Sequence, residues 1–328
     1  MFAEALEAIL RDHATPASVR AIEAGGPHDA PWRLIADAGF LRLLAREEDG
    51  GAALPMAELF PVLALLGRHA VALPVGQAML AHALLPAEAV PADLLTLAPA
   101  VRNTPDGGLA CPAVPYGLIA DHVLADDGER LLLLACEGAA RTATAGTYSQ
   151  TASLRWPASA APRHFARRGD ALASFGAALH AALLAGAMGR VFDMTLAFGN
   201  DRVQFGKSIG KFQAIQHQLG VMAEQCAAAR MAAECAWRGP SRPTLLQAAI
   251  AKARTSEAVG PVASIAHAVH GAIGVTAEYD LQLYTRRLHE WRVAHGSEDH
   301  WHPLIGRAVL DAGRPVSEFV RAVAAGGA

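Results

Sequence analysis

Five consecutive residues past the middle of the chain, Arg202-Val203-Gln204-Phe205-Gly206, set a cation, an amide and an aromatic ring side by side. That set suits a nucleotide: a guanidinium for a pyrophosphate, a ring for an adenine, an amide for a hydroxyl or a base edge. From Gln213 onward, Ile215, Leu219, Met222 and Cys226 recur at helical spacing and share one face. An ordinary corner between two helices carries the same residues, so spacing alone leaves both readings open. Further on, His270-Gly271-Ala272-Ile273-Gly274 places two glycines where a backbone can approach a ligand or another chain closely. A plain helix end also accounts for them. The stretch from His289 to His302 is dense in histidine, with His289, His295, His300 and His302 beside Glu290. It lacks the His-Glu-x-x-His and facial-triad spacings, so it is read as a substrate-side loop or a solvated surface and no metal is assigned. Single histidines inside helical stretches, His180 and His217, are read as core or interface residues.

The elements that must position these groups are mainly helical. Residues 1–95 are expected to form an N-terminal helical domain. In it, Trp32, Leu34, Ile35, Ala38, Phe40 and Leu41 form an apolar face, and a helix runs from about Met56 to Gly67. Residues 96–167 change in texture and predict a small, truncated β domain. Leu131–Ala135 is expected as a buried strand and Thr147–Trp156 as a second. Residues 168–328 predict a C-terminal four-helix bundle. Its long helices are expected over Ala171–Asn200, Gln213–Arg238 and Thr244–Val269, with a final one over Leu304–Ala324. The terminal Ala-Ala-Gly-Gly-Ala alone is low in complexity.

Composition narrows the function classes. Of the 328 residues, 52% are hydrophobic and 18% charged, an apolar balance that points to surface buried between helices and between subunits. A formal net charge of −3 gives no basic field for nucleic acid. Cys111, Cys136, Cys226 and Cys235 show no C-x-x-C spacing, and nothing calls for an oxidising compartment. The start Met1-Phe2-Ala3-Glu4 lacks a basic leader, and no run of about twenty apolar residues free of charge or proline is read, so no membrane span is expected. The expected location is the cytoplasm. No G-x-G-x-x-G after a strand, Walker loop or G-x-S-x-G occurs, which leaves Rossmann, NTPase and α/β-hydrolase chemistry without support.

The pattern R-x-Q-F-G-x-x-I-G-x-F-Q-A-I-Q-H-x-L-x-x-M, from Arg202 to Met222, resembles the flavin-binding signature of acyl-CoA dehydrogenases. The order W-x-L-I-A-D-A-G-F followed by E-E-D-G-G-A-A-L-P-M-A-E-L, from Trp32 to Leu59, resembles the same family's N-terminal helical domain. The resemblance implies that the loop reaches across a subunit interface to the adenosine-pyrophosphate arm of a neighbour's FAD. Arg202, Gln204, Phe205 and Gln213 match the contacting positions, and Gly271 matches a glycine that meets the same cofactor. Ala268 and Ala272 depart from the family's usual glutamine and second glycine.

Dehydrogenation of an acyl-CoA thioester needs a carboxylate base for the α proton, a flavin for the hydride and donors to polarise the carbonyl. Aligned with the family's Tyr-Glu-Gly-Thr, Ala294-His295-Gly296-Ser297 puts His295 at the glutamate position. Ser297, at the threonine, is counted among the cofactor-binding residues. Members that carry the base elsewhere place it near Gly176, and no Asp or Glu occurs between Asp170 and Asp193. Glu290, Glu298 and Asp299 are the nearby carboxylates for a displaced base. The family's Tyr-x-x-Thr-Glu-Pro-x-x-Gly-Ser-Asp and Trp-x-Thr segments, which embrace the flavin ring, are missing between residues 95 and 165.

The chain thus resembles the shorter, base-lacking subunit of heteromeric acyl-CoA dehydrogenases, such as those acting on steroid side chains or similar bulky acids. Implied are FAD, an acyl-CoA substrate, a longer partner subunit and electron-transfer flavoprotein as acceptor. A self-sufficient homo-oligomer with His295 as base, and a flavin-free scaffold of the same fold, are the alternatives.

Overall fold

The structure, a computed structural model, describes residues 1–324 apart from 145 and 147. The N-terminal part contains helices α1 (Phe2–His13), α2 (Pro16–Glu23), α3 (Asp29–Asp37), α4 (Met56–Arg68) and α5 (Val75–Leu84). Thr15 caps α2 through the Ser18 N–H, with Pro16 at the first helical position, where its missing N–H has no partner to lose. The expected α4 is present, and Leu59, Val62, Leu63 and Leu66 give it a fully buried face.

Eight short strands follow: β1 (Leu95–Leu97), β2 (Arg102–Asn103), β3 (Leu109–Val114), β4 (His122–Asp126), β5 (Arg130–Ala135), β6 (Ala140–Ala143), β7 (Ala152–Trp156) and β8 (Arg163–Ala166). They form two four-stranded sheets, ordered β1-β4-β5-β8 and β2-β3-β7-β6, antiparallel except for the β1/β4 pair. The leucine run of β5 is buried on both faces because its two faces have different neighbours. Leu131 and Leu133 join the helical core, while Leu132 and Leu134 pack between the sheets with Cys111, Val123, Leu154 and Trp156. The second expected strand is shorter than its sequence suggested. It begins at Ala152; Thr147 lies outside the described residues, and Ser149 and Thr151 spend their hydroxyls on Glu290.

The C-terminal part is built on α6 (Ala171–Asp201), which packs against α4, α5, α7 (Gln213–Trp237), α8 (Leu245–His270) and α9 (Leu281–Val293). A short hairpin, β9 (Val203–Gln204) and β10 (Lys207–Ser208), separates α6 from α7. Helices α6 and α8 run parallel, with α7 and α9 antiparallel to them: Phe198 meets His270, the Cys226 thiol meets the Met188 carbonyl, and His267 meets Thr285. Small residues allow close approach. At the α4/α6 crossing a methyl on Gly67 would strike the Leu183 backbone, and one on Gly186 the Ala64 backbone.

Three expectations are corrected. The final helix is two, α10 (Glu298–Ala312) and α11 (Val316–Ala324), because Gly313 adopts φ +57 and Pro315 cannot continue the turn. Residues 325–328 lie outside the described residues. The histidine-dense stretch is neither a loop nor a solvated surface throughout, for Trp291, His295 and Trp301 are buried from it and most of it lies in α9 and α10. Finally, α6 and the stretch Leu245–Val275, which contains α8, are both long and apolar enough to cross a membrane by length and composition. The apolar stretch of α6 is 94% buried inside the protein, as a core helix is, and that of α8 44%.

Candidate functional site

The hairpin that follows α6 turns at Phe205 (φ +51) and Gly206 (φ +80), both left-handed as a two-residue hairpin turn requires. A phenylalanine in that region is strained, and its ring stands 91% exposed. Such a side chain costs free energy in water unless another surface covers it. Among the described residues its one ring partner is Phe212, met edge-on at 6.1 Å, and Lys207 Nζ lies 4.3 Å over the Phe212 ring. Arg202, Gln204 and Gln213 are exposed around it, and Arg202 makes no ion pair among the described residues.

Gly271 closes α8 at φ +64, ψ −147, a conformation open to glycine and very few others. A methyl added there would meet open space, so the backbone is approachable from outside. One added at Gly274 would press on His270 and Leu281, so that glycine serves packing. The two glycine-punctuated segments are neighbours: the Phe198, His270 and Tyr279 rings lie 4.4 to 6.0 Å apart and tie the end of α6 to the end of α8. Arg202, Gln204, Phe205, Gln213 and Gly271 therefore occupy one end of the bundle, turned outward. A flexible cation, an uncovered ring and an approachable backbone fit the adenosine-pyrophosphate half of a dinucleotide presented from outside.

His295 and Ser297 belong to another place. The α9–α10 turn carries them to the N-terminal half of α6, where a methyl added at Gly176 would collide with the His295 ring. Gly176 and Phe198 are 22 residues apart on one helix, about 33 Å by the helical rise. The two positions read from the sequence as empty sites for a base thus converge on a single point. His295 is buried, adopts φ +53 and stacks on His180 with centroids 5.0 Å apart. Burial pushes its imidazole down to about 4, with the Leu97 backbone opposing and the nearby Lys252 charge adding to the fall. His180 lies well below its ordinary value for the same reason, with His295 adding to it. Ser297 precedes α10, half-buried, and its side chain forms no cap bond.

Neither nearby glutamate stands ready to take a proton. Glu290 is held by Arg287 and by the Ser149 and Thr151 hydroxyls, which together hold it below the usual carboxylate range despite burial. Glu298 is paired in two-pronged fashion with Arg292, which lowers it likewise. Asp299 is exposed on α10. Among the described residues no group of three His, Cys, Asp or Glu side chains could hold a metal ion.

Two residues of this region escaped the sequence reading. Lys252 is fully buried in α8 and donates to Ser256 Oγ at 2.9 Å, to the Arg292 carbonyl at 2.7 Å and to the Gly296 carbonyl at 2.8 Å. Burial brings its amine down to about 7, with the Glu298 carboxylate opposing. As one of three lysines in the chain, set between Ala251 and Ala253, it was visible as an anomaly. Arg287 was the other: it sits in α9 and joins Glu23 at 2.9 Å and Glu290 at 2.9 Å.

Residues 171–310 match the family model described as acyl-CoA dehydrogenase, C-terminal domain. A protein of Mycolicibacterium smegmatis named acyl-CoA dehydrogenase IpdE2 is 35% identical over 293 residues, covering 87% of this chain and 90% of that protein. Its namesake in Mycobacterium tuberculosis is 33% identical over 298 residues, covering 88% and 90%. Among solved structures, the ChsE4-ChsE5 complex from Mycobacterium tuberculosis shares the fold with a TM-score of 0.81 at 24% identity, covering 95% of this chain and 96% of that one. The Tcur3481-Tcur3483 steroid ACAD, in a variant form, gives 0.80 at 24% identity, covering 94% and 96%.

Proposed function

Since the chain belongs to the acyl-CoA dehydrogenase family, we propose that it is a subunit of an FAD-dependent acyl-CoA dehydrogenase that completes the flavin site of a partner subunit. The observation that carries this reading is the contrast between the two ends of α6. At one end Arg202, Gln204, Phe205 and Gly271 are turned outward with an uncovered aromatic ring. At the other, both positions for a base hold no carboxylate, and a buried imidazole fills the space over Gly176.

In this reading Arg202 pairs with the pyrophosphate, Phe205 covers the adenine, Gln204 and Gln213 take hydrogen bonds, and the Gly271 backbone lies against the same arm. When bound, FAD supplies acceptance of the hydride from the β carbon of the thioester. The base and the groups around the flavin ring come from the longer partner. Two neighbours that share the fold are named as two-component assemblies, one of them a steroid enzyme, which supports a heteromer acting on a bulky acyl-CoA. Electron-transfer flavoprotein as acceptor and a cytoplasmic setting belong to the same proposal.

The self-sufficient alternative asks His295 to act as base. That imidazole is buried, and its low proton affinity makes it a poor match for an α proton. The flavin-free alternative leaves the strained, exposed Phe205 without a use. The test is the flavin-to-protein ratio of the chain purified alone and co-expressed with a longer homologue. Flavin only in the co-complex, near one FAD per pair of unlike chains, supports the shared site. A yellow homo-oligomer that oxidises acyl-CoA alone overturns it. Arg202→Ala should cut FAD retention in the co-complex about tenfold or more, the worth of a charged hydrogen bond; an unchanged flavin content removes Arg202 from the site.

A further inference from the structure

The turn between α9 and α10 is held more firmly than a surface connection requires. Trp301 Nε1 donates to the His295 carbonyl at 3.1 Å, and Lys252 Nζ donates to the carbonyls on either side of it in the chain, Arg292 and Gly296. All three ammonium protons of Lys252 have acceptors, the third being Ser256 Oγ. So fixed, His295 takes a left-handed backbone that a non-glycine residue rarely adopts. Gly296, at φ +92, leaves no room for a side chain against His300 and Trp301. The imbalance is the informative part: a buried amine, a strained histidine and a stacked imidazole pair are maintained together where neither position for a base holds a carboxylate.

We propose that this turn is a plug: Lys252 seats His295 over Gly176 and against His180, and the ring seals this chain's own counterpart of the catalytic pocket. Lys252 is a positioning residue, acting through the Arg292 and Gly296 carbonyls. The purpose of the plug rests on the shared-site reading above, whereas the seating itself is independent of it.

Histidine carbethoxylation with diethyl pyrocarbonate at pH 7, read by peptide mass spectrometry on the full chain, tests the seating without flavin. His295 is held neutral and would react readily if reached, so protection reports burial. Wild-type His295 and His180 should label at least about tenfold more slowly than His217, which is exposed on α7. In Lys252→Met, with the circular dichroism spectrum retained, His295 labelling should rise towards that of His217. Should that variant not fold, His295→Gly replaces it, and His180 should then become reactive. His295 labelling as fast as His217 in the wild type, or protection unchanged in the variants, overturns the plug. Flavin content of the co-complex is read separately. A protected His295 with no flavin in any co-complex sinks the shared site and leaves the plug, and a reactive His295 in a flavin-bearing co-complex does the reverse.

Discussion

At the scale of single residues, the imidazole pair makes a prediction about acid. His295 falls from an ordinary 6.5 to about 4, and His180 falls in the same direction, so the folded chain resists protons that the unfolded chain accepts. Their contribution is complete above about 6.5 and is lost as pH falls towards 4, on the order of 3 kcal/mol from His295 alone. Glu290 and Glu298, both held low, lose stability in the same direction at lower pH in any variant that keeps them. Urea midpoints at pH 7 and pH 4.5 should therefore differ more in the wild type than in His295→Gln, whose amide does not titrate. Equal pH slopes would mean that His295 is not buried in the neutral form.

At the scale of elements, the α4/α6 crossing is where the fold has least tolerance. Gly67→Ala or Gly186→Ala places a methyl on backbone atoms of the facing helix, which cannot rotate away. The helices must separate, at about 3 kcal/mol, and the melting temperature should drop by several degrees; an unchanged melt would contradict the packing described. The same scale shows what the sequence made legible. Long apolar helices and the leucine run of β5 declare themselves because each is apolar almost throughout. Helix α9 was overlooked although Leu281, Tyr284, Leu288 and Trp291 repeat at helical spacing. Its arginines, histidine and glutamate drew it towards the surface, and the partner that buries Arg287 is Glu23, more than 260 residues away. The hairpin residues were readable as a ligand set from type and order. The convergence of His295 on Gly176 was not, because it depends on a helix and a turn packed across the core.

At the scale of the whole molecule, one buried charge cluster ties the three parts together. Arg287 of α9 pairs with Glu23 of α2, and Glu290 of α9 accepts from Ser149 and Thr151 ahead of β7. Tyr116, its hydroxyl pushed up to about 12 by burial, donates to the Val71 carbonyl beside the cluster. Arg287→Met would leave Glu23 to Arg286 alone and Glu290 to two hydroxyls in the interior, at about 3–5 kcal/mol. Limited proteolysis of that variant should cut between the N-terminal helices and the sheets before the bundle opens. A single, unshifted thermal transition would show that the parts are joined by apolar packing instead.

The length of α6 has a consequence of its own. Gly176 and Arg202 stand 26 positions apart along one continuous rod, about 39 Å at the helical rise. The outward loop and the turn over Gly176 are therefore remote from one another, and a side chain changed at one end touches nothing at the other. The same separation lets the halves be exchanged by design: the outward end can be tuned to a new partner while the closed end stays inert.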